Sequence, residues 1–403
     1  MRRVLKLAAA GAAATLVLAA CGEAPDETEA DSPAAEETTE DTGAADDAGS
    51  TDDAAGATDD AAGDTAAAGG GAAVDPADFQ ACMVSDAGGF DDQSFNQSGK
   101  EGMDAAAEAL GVQTTEVESQ ADTDYSNNVN NLVSQGCNLT IGVGFLLEDA
   151  IQQAAEANTD TNFALIDSAF SDADFNPVEL PNAKPILFNT AEASFLAGYL
   201  AAGMSESGTV ATFGGLQIPS VSIFMDGFAD GVAKYNEDNG SDVQLLGWDK
   251  EAQSGSFSGD FDNQSQGQTL TEQFIAQGAD IIMPVAGPVG LGAAAAASEA
   301  DNVRIIWVDS DGFLTATEYS DLMLTSVVKQ IGPAVEDTIT ETVEGGFSNE
   351  PYVGTLENEG VSLAPFHDME GDVPQELKDK LEEYKQQIIS GELVIETPNA
   401  PVQ

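Results

Sequence analysis

Three kinds of side chain in this 403-residue sequence could hold a small molecule. Carboxylates are the first kind: Asp86 follows Met83-Val84-Ser85, Asp167 ends the run 163–167, and Asp309 and Asp311 close the run 303–308. A carboxylate so placed can accept paired hydrogen bonds from vicinal hydroxyls, as a sugar presents them. Aromatic rings are the second kind. Phe95 and Phe224, if opposed, make a slot for a flat heterocycle, each stacking contact being worth about 1–3 kcal/mol. The third kind is Lys329, which follows Leu324-Thr325-Ser326-Val327-Val328 and is one of only 9 basic residues after position 74. The alternative reading is structural, with both rings in the core and Lys329 on the surface. Catalytic chemistry has little to work with: His367 is the only histidine and lies near the tail, so no Ser-His or Cys-His pair suggests itself. No metal site is expected either, because two cysteines cannot close a zinc site and no Asp cluster has calcium-loop spacing.

These residues can meet only if strands and helices alternate. The run 79–86 ends in Asp86, then Gly88-Gly89, then an Ala-rich helical pattern over 99–110. That is the strand, turn, helix order of an open α/β sheet, whose ligands sit beyond the C-terminal ends of the strands. Asp86, Phe95 and Asn96 then stand at a pocket mouth. The plainer reading is a loop with Ser94 capping the helix and Phe95 buried. Strands over 113–117, 139–144, 163–167 and 185–188, with helices between them and over 191–204, continue the alternation and imply right-handed βαβ units on a parallel sheet. A strand over 209–213, followed by Gly214-Gly215, restarts the cycle. Two echoes support a duplication: Phe95 precedes Glu101-Gly102 by the spacing at which Phe224 precedes Asp230-Gly231, and Ser134-Gln135-Gly136 matches Ala276-Gln277-Gly278. Two lobes of one topology explain both, and would face Phe95 and Phe224 across a shared cleft. The segment Gly287-Pro288-Val289-Gly290-Leu291-Gly292 lacks the Lys-Ser/Thr ending of a phosphate loop, although Gly287 lets backbone approach a ligand closely. Further on, the pattern predicts a helix over 331–344, strands over 352–356 and 360–363, a charged helix over 374–389 and a frayed tail over 397–403.

Composition bounds the rest. Arg2, Arg3 and Lys6 precede an apolar run from Leu7 to Ala20, too short to span a bilayer, which reads as a secretory signal over 1–20. Residues 22–74 hold 16 acidic residues, no basic ones and no aromatics, the composition of a self-repelling spacer that cannot fold alone. The remaining residues carry 55 acidic groups against 9 basic ones, a net of about −46 that argues against nucleic acid or an anionic membrane surface as a partner. Cys82 and Cys137 each open an expected strand, so they form either a disulfide between neighbouring strands or two buried thiols.

Leu18-Ala19-Ala20-Cys21 resembles the lipobox of bacterial lipoproteins, which implies acylation of Cys21 and a lipid anchor at the outer face of the cytoplasmic membrane. The stretch Asp86-Ala87-Gly88-Gly89-Phe90-Asp91-Asp92-Gln93-Ser94-Phe95-Asn96-Gln97 resembles the signature of the basic membrane protein family of ABC-transporter substrate-binding lipoproteins, whose characterised members include purine nucleoside receptors. The likeness continues through Gly142-Val143-Gly144-Phe145, Glu192-Ala193-Ser194-Phe195-Leu196-Ala197-Gly198-Tyr199-Leu200 and Thr325-Ser326-Val327-Val328-Lys329. It implies a type I periplasmic-binding-protein fold, α/β, with two Rossmann-like lobes and a hinge of three crossings. The first lobe would be 78–189 plus 326–349, the second 190–325 plus 350–396, and 21–77 the lipidated Cys and linker. By the same resemblance Phe95 and Phe224 sandwich a purine, Asp86, Asn96 and Asp167 bond the ligand, and Asp309 and Lys329 hold ribose hydroxyls; Gly287 joins the expected ligand contacts through its backbone alone. The resemblance implies a monomer without enzymatic activity or cofactor, which serves an ABC permease and its ATPase. After Asp309-Ser310-Asp311 this chain has Gly312-Phe313 where the family often has Gln, so Asp311 departs from the pattern. Other readings are a receptor for another flat-ring solute such as riboflavin, a lipoprotein that only senses or adheres, and a nucleoside hydrolase, which the absent calcium-site cluster opposes.

Overall fold

Residues 80–85 are buried at all but the first position, the continuous apolar run that a strand covered on both faces requires. This strand, β1 (Gln80–Ser85), belongs to a computed structural model that describes residues 72–172, 174 and 176–401. The expected signal, the acylation site Cys21 and nearly all of the acidic linker lie outside the described residues.

After β1 come α1 (Phe95–Leu110), β2 (Gln113–Glu118), α2 (Tyr125–Ser134), β3 (Leu139–Val143), α3 (Glu148–Ala157), β4 (Asn162–Ile166) and β5 (Ala183–Phe188). The strands stand in the order β2-β1-β3-β4-β5, all parallel. Cys82 of β1 and Cys137, just before β3, form a disulfide across these neighbours, with Cα atoms 5.9 Å apart. The chain then crosses to a second sheet through α4 (Thr190–Met204), β6 (Thr209–Gly214), α5 (Pro219–Asn239) and β7 (Gln244–Leu246). A hairpin of β8 (Trp248–Asp249) and β9 (Ser254–Gly255) precedes α6 (Gln264–Ala276), β10 (Ile281–Val285), α7 (Val289–Ser298), β11 (Arg304–Asp309), α8 (Gly312–Thr315) and β12 (Met323–Lys329). The order β7-β6-β10-β11-β12 repeats that of the first sheet strand for strand. Finally α9 (Ile331–Val343) returns to α1, β13 (Tyr352–Gly354) extends the first sheet beside β5, β14 (Val361–Leu363) pairs antiparallel with β12, and α10 (Gln375–Ile389) packs on α4.

Alternation along the strands divides the core. In β4, Ala164 and Ile166 face the large cluster that runs through both lobes, while Phe163 and Leu165 face a second cluster under α2 and α3. A third cluster lies between the second sheet and α6 and α7. The sequence echo has a steric cause. A Cβ at Gly102 would lie 2.2 Å from Gly332 O where α1 crosses α9, and one at Gly231 would lie 2.0 Å from Phe195 O where α5 crosses α4.

Pairing moves two expected lobe boundaries. Residues 326–329 belong to β12 of the second sheet, and 352–354 belong to the first, because the chain crosses at Asn189, at Gln330 and through 355–360. The tail also differs from expectation. Thr397 Oγ1 and Asn399 Nδ2 donate to Asp226 Oδ2 at 2.5 and 2.8 Å, and Asp226 is buried on α5, so the segment through Asn399 is anchored rather than frayed.

Candidate ligand-binding cleft

The C-terminal ends of both sheets open onto one space, and the turns there carry the carboxylates. Asp86 follows β1 and packs against the bare α-carbon of Gly144, where a Cβ would meet its Oδ2 at 1.8 Å. Burial pushes its carboxyl well above the usual range. Asp167 follows β4 and Asp309 ends β11, its counterpart, with left-handed φ of 68° and 69°. Such backbone is uncommon outside glycine and Asn/Asp, and holding it at matched positions aims both carboxylates inward.

They converge on Lys329 at the end of β12. Its Nζ lies 2.5 Å from Asp167 Oδ2 and 3.2 Å from Asp309 Oδ1, and the residue is 4% exposed. Burial alone would depress the ammonium, but the two carboxylates prevail and raise its pKa. For Asp167 burial prevails over Lys329, and its pKa is raised. Lys329 Nζ also stands 4.9 Å from the ring centroid of Phe95 and 5.0 Å from that of Phe224, so the two centroids are within about 10 Å of each other. Phe95 opens α1 as expected. Phe224 is the sixth residue of α5 rather than its first, since Pro219 at the N1 position starts that helix earlier.

A cavity of about 60 Å³ lies among these groups, and all eight positions expected to contact a ligand border it, including Asn96 and Gly287. Its size admits only a few waters, so a larger occupant needs the lobes to part. Beside it a groove of about 960 Å³ runs between Phe145 and Leu187 of the first lobe and Ile223 of the second, with Asn399 at its edge. Asp311 is turned away: its Oδ2 lies 2.7 Å from His367 Nε2, and Phe313 stacks on that imidazole at 4.1 Å.

Ser94 does not cap α1 through its side chain. Its hydroxyl donates to Val308 O at 2.9 Å and to Asp309 Oδ2 at 3.2 Å, across to the second lobe. Asp92 accepts the helix N–H groups instead: Oδ1 from Ser94 and Gln97 at 3.0 Å each, and Oδ2 from Asn96 at 2.8 Å. Sequence reasoning missed Asp92 and also Phe261, whose ring covers the bare Gly215 on the cavity wall. The Gly214-Gly215 pair was the signal for the second of these, since a glycine is needed where a ring comes so close.

The chain matches the family model described as ABC transporter substrate-binding protein PnrA-like over residues 79–398. It is 30% identical over 336 residues to the ABC transporter nucleoside-binding protein BmpA of Lactococcus lactis, spanning 79% of this chain and 89% of that protein. It is equally 30% identical over 342 residues to a CD4+ T-cell-stimulating antigen of Listeria innocua, spanning 80% and 89%. Among solved structures, a solute-binding protein of an ABC transporter system from Aeropyrum pernix superimposes with a TM-score of 0.71 at 25% identity, over 79% of this chain and 94% of that one.

Proposed function

This chain belongs to the PnrA-like family of ABC transporter substrate-binding proteins, and on that premise we propose that it captures a purine nucleoside between its lobes. The observation that carries this reading is one cavity bordered by two phenylalanine rings and by a lysine held between two carboxylates. The rings of Phe95 and Phe224 would hold the base by stacking. Asp86, whose raised pKa favours a protonated carboxyl, would pair with Asn96 at the base edge, one as donor and the other as donor and acceptor. Asp309 and Lys329 would hold the ribose hydroxyls, and Asp167 would keep the lysine charged and in place.

Capture and closure are linked in this reading. Asn189 N donates to Gly354 O at 2.8 Å and Gln330 N to Gly360 O at 2.9 Å, so the three crossings are tied side by side and can bend together. Ligand contacts made by both lobes favour the closed state, which the membrane permease would recognise before its ATPase drives import. We place the protein on the outer face of the cytoplasmic membrane, tethered through an acylated Cys21. Binding without turnover is the proposed activity.

Titration calorimetry with inosine, guanosine and adenosine tests this. At least one should bind near one per chain and be recovered unchanged by chromatography. Binding of none of them, or binding of riboflavin instead, would overturn the substrate class, and release of free base would make the protein a hydrolase.

A further inference from the structure

The loop between β1 and α1 performs two tasks in five residues. Phe95 and Asn96 turn toward the cavity, while Gln93 and Ser94 grip the second lobe: Gln93 O accepts from Trp307 Nε1 at 3.3 Å and from Ser310 Oγ at 3.0 Å, and the Ser94 hydroxyl reaches Val308 O. Gln93 sits at a left-handed φ of 57°, a conformation that a non-glycine residue keeps only when its surroundings impose it. What imposes it is Asp92, which is 2% exposed and spends both carboxylate oxygens on the N–H groups of Ser94, Asn96 and Gln97. Its neighbour Asp91 is exposed and makes no such bonds.

We infer that Asp92 is the positioning residue that couples ligand capture to lobe closure, one buried carboxylate fixing at once the ring and amide that face the ligand and the two residues that latch onto the second lobe. Its affinity arm rests on the nucleoside reading above; its structural arm does not. The charged groups that face it are Asp309, from the end of β11, and Asp86, from the end of β1, with Lys329 and Asp167 one contact further on. Burial, against the pull of the three N–H donors, brings the Asp92 carboxyl up to about 6. A carboxyl whose pKa is higher in the closed, buried loop than in an open, solvated one favours the closed loop as it protonates, so acid should stabilise this loop, by about tenfold at pH 5 relative to pH 7.5.

Two measurements decide the matter. The first is amide hydrogen exchange over residues 94–97 in the ligand-free full chain, corrected for intrinsic rates, at pH 7.5 and pH 5. Exchange in wild type should be about tenfold slower at pH 5, and in Asp92→Asn at least tenfold faster at pH 7.5 and without that pH dependence, with Cys82–Val84 of β1 unchanged. The second is nucleoside affinity at pH 7.5. Asp92→Asn, whose side-chain NH2 faces a donor where the carboxylate accepted, should bind at least tenfold more weakly than wild type. Ser94→Ala, which removes only the reach across the cleft, should weaken binding less and leave amides 94–97 protected. The amides of β1 separate this from general unfolding, because they exchange faster only when the whole lobe opens. Unchanged exchange in Asp92→Asn overturns the inference whether or not nucleosides bind. Slower exchange at pH 5 that persists in that variant belongs to another carboxyl and overturns it as well. If wild type binds no nucleoside while exchange behaves as expected, the substrate reading falls and the positioning role stands. Should Asp92→Asn fail to fold, exchange in wild type at the two pH values still decides, and no slowing at pH 5 overturns the inference.

Discussion

The two lobes share a frame and differ in what they place on it. Strand for strand, β1, β3, β4 and β5 correspond to β6, β10, β11 and β12. At β4 and β11 the match extends to chemistry, since each delivers an aspartate at the same left-handed φ to the same lysine. At the other positions it breaks. The turn after β1 carries Asp86, Asp92 and Asn96, whereas the turn after β6 carries Gly214-Gly215 under the rings of Phe257 and Phe261. The end of β5 is Phe188, and the end of β12 is Lys329. The first lobe therefore brings Asp86, Asn96 and Asp167, and the second brings Asp309 and Lys329 beside an apolar wall. A duplicated frame fixes where side chains go, and each copy remains free to choose what they are.

Lys329 is where that division should break most sharply. Lys329→Met leaves two buried carboxylates without their cation, and unfolding by urea at pH 8 should show a loss of about 3–5 kcal/mol. The loss should shrink toward pH 5 as Asp167, raised by burial, protonates; a loss under 1 kcal/mol at pH 8 would show that the trio is not coupled. Next in size come the matched helix crossings. Gly102→Ala and Gly231→Ala each drive a Cβ into backbone carbonyl and should each cost about 1–3 kcal/mol in the same assay. Unequal costs would mean that the duplication ends at topology. For the rings, Phe95→Ala and Phe224→Ala should each weaken nucleoside binding by about 1–3 kcal/mol in calorimetry. Phe224→Ala should also lower stability, because that ring is fully buried. A smaller, more selective effect is expected of Asp309→Asn, which should weaken ribosides and spare free bases; equal weakening would remove the ribose role. The smallest effect is on stability against pH. Asp86 and Asp167 have folded pKa values raised by burial, so their protonation favours the fold and stability should rise from pH 8 to pH 5.5. Lys329 is raised too, but stays charged throughout that window. A rise in melting temperature of about 2 °C per kcal/mol gained is the scale to look for, and a fall would contradict the account.

Much of this was legible in the chain. Apolar runs ending in aspartate mark strand ends whatever the tertiary detail, which is why Asp86, Asp167 and Asp309 could be placed before the fold was known. Asp92 could not be separated from Asp91, because its partners are backbone N–H groups of its own loop and only burial tells the two apart. The membership of β12 and β13 also escaped, since a strand next to a crossing takes its sheet from the partner it meets rather than from its own pattern, and β13 has only 3 residues of pattern to offer. The anchored tail depends on Asp226, a buried carboxylate that also accepts from Trp248 Nε1 and Gln253 Nε2, and nothing local to 397–401 announces it.

The most direct test of the central claim is a crystal structure of the protein with inosine bound. The account expects the purine between the rings of Phe95 and Phe224, with the ribose hydroxyls bonded to Asp309 and Lys329. A base lodged in the groove beside Leu187, with the two rings untouched, would contradict it.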